Sequence, residues 1–151
     1  MPTASEFMAH PVFTLKPEMP VMDALAALLH RGISGAPVVD AEGHLVGVLS
    51  EHDCLRVMAG AAFHATPEGK VREHMTHRVE TIRPDTDLFE VAGIFQGGQH
   101  RRLPVLDQGR LIGIVARRDL LRALEKLRTT REAQAAVDMR ERAGRRSALH
   151  E

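Results

Sequence analysis

Tryptophan and tyrosine are missing from this 151-residue chain, and phenylalanine occurs only five times. Their absence removes most of the flat surface on which single-stranded nucleic acids stack. Net charge is missing as well, since 20 Lys and Arg balance 20 Asp and Glu. No overall field draws the chain to nucleic acid or to an anionic membrane surface. A single cysteine, Cys54, excludes an internal disulfide and suits a reducing compartment. No apolar run approaches the roughly 18 residues of a membrane span. The opening MPTASEFMAHPVF lacks the basic start and long apolar stretch of a secretory signal. A soluble, cytoplasmic chain is expected. Nucleophile elbow, Walker loop and dinucleotide fingerprint are all lacking, and the glycines of GIFQGGQ follow a helical pattern rather than a strand. Catalysis therefore has no candidate residues, and a non-enzyme is expected. His74 and His77 stand three apart in HMTH, but no cysteine pair or carboxylate at ligand spacing accompanies them, so no metal site is expected.

What the chain does have is a repeat. FMAHPVFTLKPEMPVMDALAALLHRGISGAPVVDAEGHLVGVLSEHDCLRVM aligns with HMTHRVETIRPDTDLFEVAGIFQGGQHRRLPVLDQGRLIGIVARRDLLRAL. Matched positions lie about 67 residues apart, falling to about 66 after one residue is lost in a turn. Met8 matches Met75, Thr14 matches Thr81, Pro17 matches Pro84 and Pro37 matches Pro104. Asp40 matches Asp107, Gly47 matches Gly113, and Asp53 matches Asp119. Two copies of one unit, residues 1–60 and 73–127, are joined by a linker over 61–72 and followed by a charged tail, 128–151.

Periodicity assigns the elements within each copy. VFTL and VETI alternate and stop at Lys-Pro or Arg-Pro, as short strands do. VMDALAALLHRG places Val21, Ala24, Leu25, Leu28 and Leu29 on one helical face and ends at Gly32, a plausible cap. DLFEVAGIFQGG does the same with Leu88, Val91, Ile94 and Phe95. APVVD and LVGVLS form a hairpin across the turn AEGH, with Pro37 and Pro104 opening the first strand of each hairpin. Helices follow from Glu51 and from about Arg117. The unit is β-α-β-β-α, an α/β (α+β) class of fold. A copy of roughly 50 residues is too small to make a secure core alone. Packing sheet to sheet about a pseudo-two-fold axis covers both open faces and leaves clefts lined by strand ends and helix starts, where free N–H groups favour anions.

The tandem unit, with SGAPVVD and RRLPVLD and with GVLSEHD and GIVARRD, resembles a pair of cystathionine-β-synthase (CBS) domains, the Bateman module, over residues 7–127. Without an accompanying catalytic domain, it is similar to the stand-alone members. The resemblance implies clefts that bind adenosine-containing ligands: AMP, ADP, ATP or S-adenosylmethionine. It implies no obligatory cofactor, and pairing of modules into a disk-like homodimer. The family's Ser/Thr-x-x-Asp pattern falls on Ser50 and Asp53, spaced so that both side chains can face one ligand. An aspartate accepts from both ribose hydroxyls, and a serine hydroxyl donates to phosphate or ribose oxygen. The same residues also spell a helix cap, with Asp53 at the positive end of the helix. Both readings can hold together.

In the second copy Asp119 remains, Ala116 replaces the serine, and Arg117 and Arg118 stand where Glu51 and His52 stood. Arg101 and Arg102 precede the second copy's hairpin, where the first has no charge. This implies a second cleft that trades a hydroxyl for guanidinium groups suited to phosphate; a solvated basic edge or intersubunit ion pairs would account for the same residues. Family geometry places the walls for the base at Val12, Thr14, Ile33, Ala36 and Pro37 in the first copy, and at Val79, Thr81, Leu103 and Pro104 in the second. Cys54 reads as a buried small hydrophobe, and Phe63 as tucked from the linker against the module. The tail is expected to extend the last helix, to pack on a partner, or to fray. A ligand-free interaction module, reaching an unidentified protein partner through dimerisation and this tail, is the alternative function; nucleic-acid binding by the four arginines of MRERAGRR is a third.

Overall fold

Two β-hairpins, each flanked by helices, organise the chain. The computed structural model describes residues 1–60 and 69–149; Phe63, expected to tuck against the module, lies outside them. In chain order the elements are α1 (Ala4–Phe7), α2 (Val21–Arg31), β1 (Gly35–Val39), β2 (Leu45–Ser50) and α3 (Glu51–Gly60). They continue with α4 (Val71–His74), α5 (Leu88–Gln96), β3 (Arg102–Asp107), β4 (Arg110–Ala116) and α6 (Arg117–Leu149). Strands β1 and β2 pair antiparallel, as do β3 and β4, with register shifts at equivalent places, Val38/Val39 and Val105/Leu106. Helix α2 buries Val21, Ala24 and Leu28 and ends at Gly32, whose left-handed φ of 64° lets its N–H reach the Leu28 and Leu29 carbonyls. Leu29 does not join that face: one residue past Leu28 the helix has turned about 100°, and Leu29 is 67% exposed. Asp87 caps α5, accepting from the N–H groups of Phe89 and Glu90.

The first strand of each copy contracts to one bridge. Leu15 pairs in parallel with Val38, and Ile82 with Val105. Leu15 donates to the Pro37 carbonyl at 2.8 Å and accepts from Val39 N–H at 3.0 Å. Extending this ladder backward needs an N–H on Pro37, and extending it forward needs one on Pro17; proline has none. Pro104 and Pro84 block the second ladder in the same way. Neither Pro37 nor Pro104 opens its strand: each is the third residue of β1 or β3.

On their other edges the hairpins exchange chain. Ala9, from the lead of the first copy, pairs with Ile114 of β4, and Thr76, from the lead of the second, pairs with Val48 of β2. Each bridge is a reciprocal pair of backbone hydrogen bonds of 2.8–3.0 Å. The short helices follow their segments. Ala4 of α1 is buried with Leu88, Leu103 and Val115 of the second copy, and Val71 of α4 with Leu15, Leu28 and Leu49 of the first. Val71 and Arg72, expected in the linker, therefore open a helix of the core.

The matched glycines permit this exchange. A Cβ on Gly47 would stand 2.7 Å from the Met75 sulfur and 2.8 Å from the Thr76 carbonyl, while one on Gly113 would meet the side chain of Met8. The repeated methionine of one copy thus packs on the repeated glycine of the other. The two hairpin turns also meet, Leu45 N–H donating to the Gly109 carbonyl and Leu111 N–H to that of Gly43.

The tail is helical. Helix α6 runs 33 residues with only Leu120 buried, and every residue from Arg128 to Leu149 is exposed. Glu125 and Glu132 flank Arg128 at i−3 and i+4, a spacing that supports a solvated helix. No helix among the described residues is long and apolar enough to cross a membrane.

Candidate ligand-binding site

Strand β2 delivers Ser50 directly to the start of α3, and Asp53 follows one turn later. Their side chains close a reciprocal cap. Asp53 N–H donates to Ser50 Oγ at 3.2 Å, and Asp53 Oδ2 accepts from Ser50 N–H at 2.9 Å and from Ser50 Oγ at 3.0 Å. Asp53 Oδ1 accepts from Thr76 Oγ1 at 3.0 Å and pairs with Arg56 at 3.1 Å. Only 2% of Asp53 is exposed, and it is the one buried charged side chain among the described residues. The neighbouring Cys54 is also buried, as expected, and burial pushes its thiol pKa up.

Ser50 and Asp53 line a cleft of about 590 Å3 between the repeats. Ser34–Pro37 form one wall with the β2–α3 junction; Thr76, Arg78–Glu80 and Gln99–Arg102 of the second copy form the other. Three guanidinium groups, those of Arg78, Arg101 and Arg102, line the far side with Glu80, while Glu51 and His52 stand on the near wall. Arg102 Nη1 also donates to the Gly35 carbonyl at 3.1 Å, tying the walls together.

Of the residues singled out from sequence, Ser50, Asp53, Ala36, Pro37, Val79, Arg101, Arg102 and Pro104 line this cleft. Arg101, Arg102, Val79 and Pro104 were assigned to the second copy's own cleft, and that assignment is corrected. The loop before β3 lies opposite the first copy's carboxylate, so the arginines of one copy line the same cleft as Asp53 of the other.

Val12, Thr14, Ile33, Thr81, Leu103, Asp119, Arg117 and Arg118 do not line it. Leu103 is fully buried in the second core and Ile33 packs against the first. Val12, Thr14 and Thr81 are half-buried in segments whose single bridges hold them along the outer hairpin edges. Arg117 reaches the His100 carbonyl at 3.5 Å, and Arg118 sits with Leu121 and Arg122 on the open surface of α6. Asp119 accepts from Ala116 N–H at 2.8 Å and lies 3.8 Å from Arg122, with 19% of its side chain exposed.

Sequence reasoning missed Thr76, Arg78, Gln99 and His100. A signal for Thr76 was present: its counterpart one repeat earlier is Ala9, just as that of Ser50 is Ala116 one repeat later. Both residues whose hydroxyls touch Asp53 are thus matched by alanines in the other copy. Among the described residues, the metal-ligand types that gather within 4.8 Å of one another are Asp40, Glu42 and His44 rather than the His74–His77 pair. Asp40 is occupied there by the N–H groups of Glu42 and His44, the latter chief in holding its carboxyl below the usual range.

Twin hairpin units that trade their leading segments around an interior cleft define a pseudo-symmetric tandem module. The chain belongs to the CBS domain family, whose model matches residues 4–60 and again 71–126. Among relatives, the A-adding tRNA nucleotidyltransferase of Aquifex aeolicus is 32% identical over 121 residues, a match covering 80% of this chain and 14% of that enzyme. The chain thus corresponds to a small part of that longer protein. Among solved structures, CBSX2 of Arabidopsis thaliana in complex with AMP is 32% identical with a TM-score of 0.73, covering 83% of this chain and 98% of that one. The CBS domain pair of protein MJ0100, in complex with 5′-methylthioadenosine and S-adenosyl-L-methionine, is 25% identical with a TM-score of 0.69, covering 83% and 97%.

Proposed function

We propose that this chain is a non-catalytic, cytoplasmic sensor module that holds an adenosine-containing ligand in the cleft between its repeats. The observation that carries the reading is the pairing, across one cavity, of the buried Asp53 with the guanidinium groups of Arg78, Arg101 and Arg102. A carboxylate at the base of the cleft recognises the ribose hydroxyls, and the arginines opposite neutralise phosphate. Pro37, Val48, Val79 and Ile114 supply apolar surface for a base. Similar structures hold AMP in one case and 5′-methylthioadenosine with S-adenosyl-L-methionine in another, which supports an adenosine ligand here.

Ligand occupancy is read by a homodimer. Helices α2 and α3 expose Leu29, Leu55 and Met58, at 67%, 63% and 53%, on faces that a second copy would cover. Binding shifts the balance between dimer packings by its difference in affinity for them.

Thermal shift with AMP, ADP, ATP and S-adenosylmethionine tests the ligand. Stabilisation of wild type is expected, lost in Asp53→Ala and weakened in Arg101→Ala/Arg102→Ala most strongly for the ligand with most phosphates. Failure of all four to raise Tm at millimolar concentration sinks the reading. One observation favours the second function, a ligand-free interaction module: the exposed helix from Arg128 onward. A partner retained by Asp53→Ala but lost on deleting residues 128–151 would establish it.

A further inference from the structure

Asp53 is buried, yet nothing about it is unpaired. A carboxylate has about four acceptor positions, and here the Ser50 N–H, the Ser50 hydroxyl, the Thr76 hydroxyl and Arg56 take them up. A ribose cannot simply be added to this group; it must take a place already filled. Ser50 is fixed by the helix cap, in which its hydroxyl also accepts from Asp53 N–H. Arg56 approaches from outside the cleft, whereas Thr76 is exposed and lines it.

Resting on the adenosine reading above, we infer that Thr76 is a positioning residue that competes with the ligand. Its hydroxyl donates to Oδ1 of Asp53, and a ribose hydroxyl replaces it on binding. Thr76 belongs to the second copy and its backbone is bridged to Val48 of the first. The segment that one repeat lends to the other's sheet is therefore the segment displaced from the carboxylate. The position matched to Thr76 in the first copy is Ala9, which has no hydroxyl to offer Asp119.

Removing the hydroxyl leaves Oδ1 short of a donor in the empty chain and removes the competitor at the same time. Isothermal titration with AMP and S-adenosylmethionine, and with 2′,3′-dideoxy-AMP, which lacks the hydroxyls, separates this from a structural role. Thr76→Val is expected to lower the Tm of the ligand-free chain and to bind AMP or S-adenosylmethionine about tenfold or more tightly. Its affinity for dideoxy-AMP should match that of wild type, and Thr76→Ser should behave as wild type with every ligand. Weaker binding by Thr76→Val, or an equal shift for AMP and dideoxy-AMP, overturns the inference while wild-type binding leaves the adenosine site standing. Tightening by Arg56→Ala but not by Thr76→Val assigns the exchange to the guanidinium and overturns it as well. If wild type and Thr76→Val both bind neither AMP nor S-adenosylmethionine, the adenosine site itself falls, and this inference with it.

Discussion

Asp53 and Asp119 occupy matched positions in two copies of one unit, begin equivalent helices, and both accept a hydrogen bond from the backbone N–H three residues earlier. Around that shared bond the surroundings part. Asp53 has two hydroxyls, 2% exposure and a cleft; Asp119 has alanines at both matched positions and 19% side-chain exposure. The helix cap needs only a carboxylate near N–H groups, so it survives in both copies. The cleft needs that carboxylate buried and aimed, and this takes Ser50 from one copy with Thr76 from the other. A pseudo-symmetric scaffold can thus preserve a stabilising contact twice while building a binding site from it once.

The largest effect expected from this contrast is on stability as well as on binding. Asp53→Ala strips charge-assisted partners from Ser50, Thr76 and Arg56 and should cost about 3 kcal/mol. Asp119→Ala loses a partly exposed cap worth about 1 kcal/mol. Urea unfolding of the two variants measures the difference. Equal losses would mean that the hydroxyls add nothing to the first site.

A second contrast lies where the copies interlock. Gly47→Ala drives a methyl group against the Met75 side chain and also against the Thr76 carbonyl, which the cross-repeat bridge holds in place, whereas Gly113→Ala meets side-chain atoms of Met8 and no backbone atom among its three nearest neighbours. Overpacking against backbone should cost about 2 kcal/mol at Gly47 and clearly less at Gly113. The midpoint of urea unfolding checks the order, and Gly113→Ala as the worse variant would show Met8 to be the more rigid neighbour.

These glycines mark how far the sequence could be read. The repeat, the hairpins, the capped helices and the serine–aspartate pair followed from spacing and pattern, because each depends on residues close in the chain. That Gly47 meets Met75, and Gly113 meets Met8, did not follow. Both members of each pair stood out as repeated, but a repeat in sequence does not say whether a contact forms within a copy or between copies. For the same reason the sequence does not show that Arg101, Arg102 and Thr76 share a cleft with Asp53. The short leading strands failed on local chemistry instead. VFTL has strand composition, but Pro17 and Pro37 together remove the N–H groups that a longer parallel ladder requires.

A smaller effect should come from restoring what the second copy lacks. Ala116→Ser supplies the hydroxyl for the Asp119 N–H and completes the reciprocal cap, with an expected gain of about 1 kcal/mol. Because Ala9 remains, and Pro11, Ser34 and Gly35 stand at the positions matched to Arg78, Arg101 and Arg102, the number of AMP molecules bound per chain should not change. Titration calorimetry on Ala116→Ser reads the stoichiometry, and a newly acquired second site would show that one hydroxyl suffices.

The least effect expected concerns how each borrowed helix is held. Lys70 and Arg72, at the entry to α4, reach Glu18 of the first copy at 2.8 and 3.0 Å. At the matched position, Asp85 faces Arg83 of its own copy at 3.4 Å, and Thr3 and Ser5 stand where Lys70 and Arg72 would be. The hydrogen bond from Lys70, aided by the charges of Arg72 and Lys70, holds the Glu18 carboxyl below its ordinary pKa. A carboxyl lowered by folding stabilises the fold above its unfolded value, and loses that contribution as pH falls through the lowered folded value. Glu18→Gln should therefore be slightly less stable than wild type at neutral pH and indistinguishable from it at about pH 2. Both groups are exposed, so about 1 M salt should erase the neutral-pH gap too. Asp85→Asn, whose ion pair does not cross between copies, should leave the docking of α1 untouched; if it loosens residues 1–9 in hydrogen exchange as much as Glu18→Gln loosens 69–76, the charge clamp is not confined to one side.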